Sequence, residues 1–311
     1  MSDEHRSGLS PENYHKLTGF EGDWRDSWWD QDYLVFMAGQ LGLYQLNHGL
    51  DLGCGVGHWG QRLFPFMAPG AVMVGIDAES EWMDKAQDRA RTRGLEGISY
   101  RVADATQLPF EDQSFDFVTC QTVLMHVPDA ETVVAEGLRV LRPGGLFLAA
   151  EPNNFGSSAA ELVREPQRDW SIMAALMELD ITCAHGKEAL GEGWYSIAER
   201  LPAMLDRLGF VGIDARLNNQ CQPRVPPYEA DREAIERIRE HHALGALVRA
   251  GGTRENGLRM FLAGGGTAER YAELWEIARE HQQQELDAID SSTYTGAGGH
   301  LHYLIWGRKP A

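Results

Sequence analysis

The segment Gly49-Leu-Asp-Leu-Gly-Cys-Gly-Val-Gly-His-Trp-Gly60 is the part of the chain whose residue spacing points most clearly to chemistry. Its glycines follow an apolar run and precede a helical pattern, so the loop between them lacks side chains where a ligand could press against the backbone. The following helix would offer its first N–H groups to that ligand. Gly55, Gly57 and Gly60 also satisfy the dinucleotide pattern G-x-G-x-x-G, so the glycines alone predict a nucleotide-like ligand without identifying it.

Acidic residues are expected at or near the ends of three successive strands. Asp51 lies two residues before the first glycine of the loop, Asp77 ends the second apolar run, and Asp104 follows the third. Because the carboxyl ends of parallel strands meet at one edge of a sheet, we expect these carboxylates to line one crevice. An acid at the end of the second strand holds ribose hydroxyls in more than one kind of nucleotide site, so Asp77 does not choose between them.

Two further segments narrow the choice of ligand. The stretch 102–116, which begins Val-Ala-Asp-Ala-Thr-Gln-Leu-Pro-Phe, follows the third strand, and Leu141-Arg-Pro-Gly-Gly-Leu-Phe-Leu opens the fifth. Together with Leu-Asp-Leu-Gly-Cys-Gly, in this order and spacing, they resemble class I S-adenosylmethionine-dependent methyltransferases, in particular the branch of ubiquinone, menaquinone and other small-molecule methyltransferases. The resemblance is close over residues 49–153 and looser over 194–217. It implies S-adenosylmethionine as the cofactor.

The resemblance also implies which residues contact that cofactor. The glycine loop would lie along its methionine part, with the Asp51 carboxylate near the amino group, and Asp77 would accept hydrogen bonds from both ribose hydroxyls. Residues after the second strand would flank the adenine ring, and Asp104 would accept from its amino group. Gln121, just past the fourth strand, would meet the methionine end. The implied cofactor-binding residues are Asp51, Gly53, Cys54, Gly55, Asp77, Ala78, Met83, Asp104, Ala105 and Gln121.

Transfer of a methyl group from a sulfonium depends mainly on alignment of the acceptor atom, the carbon and the sulfur. A neutral amine needs no base, whereas a hydroxyl or an ammonium group must lose a proton. His126, past the fourth strand, and Glu151, at the end of the fifth, are the candidate catalytic residues. Glu151 could instead anchor a cationic substrate. For each residue the alternative is structural: a histidine that packs against a helix, and a carboxylate that loop amides satisfy.

The N-terminal segment is dense in aromatic residues. Aromatic faces beside a sulfonium or an ammonium group are electrostatically favourable, and in the enzymes that the chain resembles a segment before the first strand folds over the cofactor. Residues 1–48 are therefore predicted to form a lid that includes Tyr14, Trp24, Trp28 and Tyr33. Trp28 and Tyr33 could equally pack against helices.

Histidines at 241–242 and at 300 and 302 raise the question of a metal site. The first two point to different faces of a helix, and no acidic or cysteine residue lies at a fitting spacing from either set. We therefore predict no metal.

The elements that must position these residues follow from the hydrophobic pattern. Over residues 49–150 short apolar runs alternate with helical patterns, which is typical of a parallel sheet with crossover helices. We predict a doubly wound, Rossmann-like α/β fold with a seven-stranded sheet, and a helix from Ser80, its N-cap, to Arg93. The stretch before the last strand is too long for a loop, so it predicts a helical cap that the N-terminal segment joins. The predicted divisions are 1–48 for the lid segment, 49–218 for the core, 219–298 for the cap and 299–311 for the final strand and tail.

Composition indicates the class of partner. The chain contains 28 Lys and Arg residues and 46 Asp and Glu residues, which gives a formal net charge of −18. Such a surface repels phosphate backbones and therefore weighs against a nucleic-acid substrate. No apolar run has the length of a membrane helix, and the N-terminal residues are not those of a signal or transit peptide. Together with four scattered cysteines, which predict reduced thiols, these features indicate a cytoplasmic protein without a membrane partner.

The sequence therefore predicts an S-adenosylmethionine-dependent methyltransferase acting on a small molecule. The long insertion favours an enclosed pocket, and the acidic surface with Glu151 favours an amine or guanidine nitrogen, hence a cationic substrate, over a hydroxyl. Two alternatives stay open: a methyltransferase acting on RNA or protein, and a non-catalytic regulator or partner subunit that binds the cofactor. The cap is either a lid or the interface of a homodimer.

Overall fold

The computed structural model describes residues 23–162, 169–247 and 252–311. The chain divides into two compact units. A sheet unit contains the described residues of 22–153, 197–220 and 301–311, and a helical unit contains those of 154–196 and 221–300.

The strands are β1 (His48–Leu52), β2 (Val72–Asp77), β3 (Ile98–Val102), β4 (Phe115–Gln121), β5 (Leu141–Pro152), β6 (Val211–Leu217), β7 (Gln222–Arg224), β8 (Gly296–Gly298) and β9 (His302–Arg308). The α-helices are α1 (Gln31–Leu41), α2 (His58–Leu63), α3 (Glu81–Thr92), α4 (Ala130–Val140), α5 (Asn154–Leu162), α6 (Trp170–Ala189), α7 (Leu201–Arg207), α8 (Arg232–Ala243), α9 (Arg254–Ala263) and α10 (Ala268–Asp290). A 3-10 helix covers Trp24–Trp28.

The sheet unit is built on a seven-stranded sheet of order β3-β2-β1-β4-β5-β9-β6. Strands β1 to β5 run parallel to one another, and β9 is antiparallel to both β5 and β6. The predicted seven-stranded α/β sheet is thereby confirmed. Because the strand order reverses between β1 and β4, a crevice is expected at the carboxyl ends of these two strands.

Burial explains why these segments form strands and helices. Six of the seven β4 residues are buried, as in a central parallel strand covered on both faces. The buried residues Trp82, Ala86 and Ala90 recur at helical spacing along α3 and turn one face to the sheet unit's interior. Ser80 lies at the predicted N-cap position of α3, but its backbone is already helical (φ −67°, ψ −23°) and its side chain makes no capping hydrogen bond.

The helical unit has its own core. Helix α6 packs against α9 and α10 through buried residues that include Leu179 and Phe261. At the crossing of α6 and α9, a Cβ on Gly186 would lie only 1.7 Å from the Met260 carbonyl oxygen. Since no side chain fits there, the glycine lets the two backbones approach.

This division differs from the one expected from the sequence. The described residues of 154–196, predicted as core, belong to the helical unit because the buried face of α6 meets α9 and α10. Residues 23–48, predicted to join the cap, belong to the sheet unit, where Trp28 and Trp29 are buried in its core.

Candidate functional site

The glycine-rich loop joins β1 to α2 at the carboxyl edge of the sheet. Gly53, Gly55 and Gly57 have φ values of +58°, +50° and +85°, which other residues adopt only with strain. A Cβ at Gly53 would lie 2.5 Å from Val123 Cγ2, and one at Gly57 would lie 2.5 Å from Gln61 Nε2. The loop is therefore built to present bare backbone.

Asp77 ties this loop to the end of β2. Its Oδ2 accepts a hydrogen bond from the Gly55 N–H at 2.9 Å, and its Oδ1 accepts one from the Glu79 N–H at 3.1 Å. The Cys54 N–H also donates to the Ile76 carbonyl at 2.8 Å. The carboxylate is thus oriented by two backbone amides at the strand end where the sequence predicted it.

Asp51 is fully enclosed beneath the loop, with 1% of its surface exposed. Its Oδ2 accepts from the Gly60 N–H at 3.1 Å, whereas Oδ1 has no hydrogen-bond partner within the described residues. Burial raises the pKa of this carboxyl to about 8, and the nearby Asp77 adds to the effect. A cationic donor at Oδ1 would satisfy this atom and stabilise the charged form.

Gln121 supplies the complementary group on the neighbouring strand. It ends β4 and is buried, and its Nε2 donates to no atom of the described residues. Leu52 of β1 pairs with Cys120 of β4, so Gln121 lies beside the start of the glycine loop. An acceptor on Asp51 and a donor on Gln121 suit an α-amino acid group, whose ammonium donates while its carboxylate accepts.

Glu151 is also buried, with 0% of its surface exposed. Its Oε1 accepts hydrogen bonds from the N–H groups of Val123 (2.8 Å) and Leu124 (3.0 Å), and Oε2 has no partner among the described residues. Burial raises the pKa of this carboxyl to about 7. The geometry favours the interpretation in which loop amides satisfy the carboxylate. His126 lies half-buried in the same turn, where its N–H donates to the Val123 carbonyl at 2.9 Å.

The residues predicted near the adenine ring follow β2 and β3. Ala78 is exposed, and Met83 and Ala105 are half-buried. Asp104 is exposed, and its Oδ1 accepts from the Thr106 hydroxyl (2.7 Å) and N–H (2.8 Å). These hydrogen bonds hold the pKa of Asp104 below its usual value, so the carboxylate stays ionised and can accept further bonds. Their contacts with the cofactor stay predictions.

The structure does not group the predicted aromatic lid residues at one place. Tyr14 lies outside the described residues, and Trp24 begins the 3-10 helix. Trp28 is buried and stacks on His302 with ring centroids 4.3 Å apart. The Tyr33 hydroxyl donates to the Leu217 carbonyl at 2.6 Å. Trp28 and Tyr33 therefore pack within the sheet unit, which was the alternative interpretation.

In residues 23–162, 169–247 and 252–311 no three His, Cys, Asp or Glu side chains are grouped so that they could hold a metal ion. None of the helices described there combines the length and the apolar character needed to cross a membrane.

A parallel sheet with an antiparallel strand next to its last member, a bare glycine loop after β1 and an acid after β2 together define the class I methyltransferase fold. A family model described as "Methyltransferase domain" matches residues 50–149. The matched residues contain the glycine loop and all the strands from β2 to β4.

Curated relatives agree with this assignment. The 27-O-demethylrifamycin SV methyltransferase of Amycolatopsis mediterranei is 35% identical over 159 residues, which are 49% of this chain and 57% of that protein. The demethylmenaquinone methyltransferase of Geobacillus kaustophilus is 34% identical over 131 residues, 41% of this chain and 54% of that protein. The match thus spans little more than half the length of these relatives.

Solved structures share the fold. A putative methyltransferase from Bacillus halodurans aligns over 91% of this chain and 99% of its own, with a TM-score of 0.51 and 20% identity. A phosphoethanolamine N-methyltransferase of Haemonchus contortus, solved with phosphomonomethylethanolamine and S-adenosylhomocysteine, aligns over 99% of this chain and 60% of its own, with a TM-score of 0.51 and 18% identity. At these identities the likeness is one of fold alone.

Proposed function

We propose that this chain is an S-adenosylmethionine-dependent methyltransferase acting on a small molecule. The observation that carries the proposal is the pair of buried groups at the glycine loop, Asp51 Oδ1 and Gln121 Nε2, which have no partner among the described residues. They offer one acceptor and one donor beside bare backbone, as the amino acid end of the cofactor requires.

The remaining residues fit the rest of that cofactor. Asp77, held by two backbone amides, would accept from the ribose hydroxyls. Asp104, kept ionised by Thr106, would accept from the adenine amino group, with Ala78 and Met83 beside the ring. When bound, the cofactor supplies an electrophilic methyl group. The task of the chain is to hold the acceptor in line with it and to exclude water.

His126 and Glu151 would then have different roles on the acceptor side of the site. Glu151 holds the turn after β4 through the N–H groups of Val123 and Leu124, and so positions His126. His126, half-buried in that turn, is the candidate base for an acceptor that must lose a proton. A neutral amine acceptor would not need this proton transfer.

We favour a nitrogen acceptor, an amine or a guanidine. The net charge of −18 attracts cationic molecules over long distances and repels anionic ones. An oxygen acceptor is the second candidate, because one relative is named for methylation at the 27-O position of a rifamycin.

The test is transfer of an isotopically labelled methyl group from S-adenosylmethionine to a fractionated metabolite extract, followed by mass spectrometry of the products. We expect the label in a small basic compound, and no label when Asp77→Ala replaces the wild-type protein. Label in a neutral phenol or alcohol would instead identify an oxygen acceptor.

The same incubation tests the alternatives. Label found only in RNA or protein would assign a macromolecular substrate, and binding of RNA would then weaken steeply with salt. Tight binding of S-adenosylmethionine without any labelled product, across extracts from several sources, would contradict catalysis and indicate a regulator or partner subunit.

A further inference from the structure

The short segment 24–29, which we call the strap, crosses several elements that surround the glycine loop. The Asp26 carboxylate lies near the start of α2 and pairs with Arg89 of α3 and with Arg93, the residue directly after that helix. Arg25 donates to the Thr122 hydroxyl at 3.3 Å, in the turn after β4. The Trp29 carbonyl accepts from Arg62 of α2 at 2.9 Å. The strap thus joins α2, α3 and the end of β4 within the sheet unit.

Asp26 reaches the glycine loop by two routes. Its Oδ1 lies 3.3 Å from Nδ1 of the buried His58, the residue directly after Gly57. Its Oδ2 accepts from Arg89 at 2.9 Å, and Arg89 in turn donates to Gln61 Oε1 at 3.1 Å.

Gln61 is the residue whose Nε2 lies 2.5 Å from where a Cβ of Gly57 would be. The Gln61 side chain also donates to the Ala86 carbonyl at 3.0 Å and to the Tyr100 hydroxyl at 2.8 Å, which fixes its position under the loop. A change in the position of Arg89 would therefore be transmitted to the backbone at Gly57 through the Gln61 side chain.

The Asp26 carboxylate is largely enclosed, with 14% of its side chain exposed. Burial alone would raise its pKa, but the hydrogen bonds with His58 and Arg93 and the charges of Arg89 and Arg93 hold the pKa well below the usual range. Enclosed charge pairs are costly to break from one side, so this contact is expected to restrain the strap firmly.

We propose that Asp26 is a positioning residue that holds the glycine-rich loop in the conformation that binds the cofactor, through His58 on one side and through Arg89 and Gln61 on the other. The inference rests on the proposed function, in which this loop binds S-adenosylmethionine. A loop that is held in its binding conformation before the ligand arrives loses less entropy on binding. Affinity for the cofactor should therefore depend on a carboxylate that does not touch it.

The experiment compares Asp26→Asn with Asp23→Asn by calorimetric titration with S-adenosylhomocysteine. Asp23 pairs with the same two arginines, Arg89 at 2.8 Å and Arg93 at 3.2 Å, but its side chain is 79% exposed, so it is a matched control. We expect Asp26→Asn to weaken binding about tenfold, and Asp23→Asn to change it by less than about threefold. Amide hydrogen exchange over residues 53–61 should be faster in Asp26→Asn without ligand.

A second variant tests whether weaker binding could come from a general loss of stability instead. Arg89→Lys keeps the charge but lacks the guanidinium fork that bridges Asp26 and Gln61, so it should weaken binding in the same direction. Both titrations are run well below the melting temperature of each variant. Equal affinity of wild type and Asp26→Asn, or equal losses in Asp26→Asn and Asp23→Asn, would overturn the inference alone. Failure of the wild-type protein to bind S-adenosylhomocysteine would overturn it together with the proposed function.

Discussion

Replacement of Asp77 by alanine is expected to weaken binding of S-adenosylhomocysteine by at least about a hundredfold. The carboxylate would accept two hydrogen bonds from the ribose, and bonds to a charged group contribute about 1.5–3 kcal/mol each. The same carboxylate also accepts from the Gly55 N–H, so its loss releases the glycine loop from the end of β2. Titration calorimetry on the purified variant measures the effect directly.

Asp84→Ala provides the control for this measurement. Asp84 is an exposed carboxylate in the first turn of α3, near the site in sequence but outside the hydrogen bonds of the loop. Its replacement should leave the affinity within about twofold of the wild type, as most surface substitutions do. Retained affinity in Asp77→Ala, with Asp84→Ala unchanged, would refute the assignment of the ribose-binding acid.

The second large effect concerns the pH dependence of stability at Glu151. Burial raises the pKa of this carboxyl from its ordinary 4.5 to about 7 in the folded state. The folded protein therefore binds the proton more tightly than the unfolded chain does. The resulting stabilisation is fully present below pH 4.5 and is lost as the pH rises to about 7. Because one pKa unit corresponds to about 1.4 kcal/mol, ionisation of Glu151 costs the folded state roughly 3 kcal/mol.

Glu151→Gln should remove this dependence while keeping the fold. Its amide oxygen can still accept from the N–H groups of Val123 and Leu124, and it carries no charge at any pH. In urea unfolding experiments, the wild type should lose roughly 2–3 kcal/mol more between pH 5 and pH 8 than the variant does. The exposed Glu81, replaced in the same way, should give a profile parallel to the wild type.

Glu151→Ala tests the other part of the arrangement. Without an acceptor, the two amides of the turn after β4 are left buried and unsatisfied, so we expect a loss of about 2–4 kcal/mol at every pH. A variant as stable as Glu151→Gln at pH 8 would show that the carboxylate does not hold the turn. A large fall in turnover in Glu151→Gln, without loss of stability, would instead assign Glu151 as the base.

Local features of the sheet unit were predictable from the sequence. The apolar runs predict strands β1 to β4, and the glycines predict the loop between β1 and α2. Each prediction needs only a few neighbouring residues, because strand burial and positive φ are local requirements. Asp51, Asp77 and Gln121 could be placed at one edge for the same reason, since each lies at or near the carboxyl end of a parallel strand.

The remaining features depend on contacts between distant residues. Nothing around Asp26 indicates that it meets Arg89 and His58, because these pairs form only when the chain is folded. The position of α6 in the helical unit likewise depends on α9, and a helical pattern does not reveal which partner it will pack against. Tyr33 illustrates the same point, since its partner Leu217 lies far along the chain.

The place of β9 in the sheet has a consequence for the order in which the protein folds. β1 to β5 follow one another along the chain, but β9 pairs with β5 only after residues 221–300 have been accommodated. Contacts this distant in sequence form slowly. Until they form, one edge of β5 is unpaired, and this strand contains the apolar residues Phe147 and Leu148. An open edge of this kind can pair with strands from other molecules, so we expect slow closure by β9 to let aggregation compete with folding.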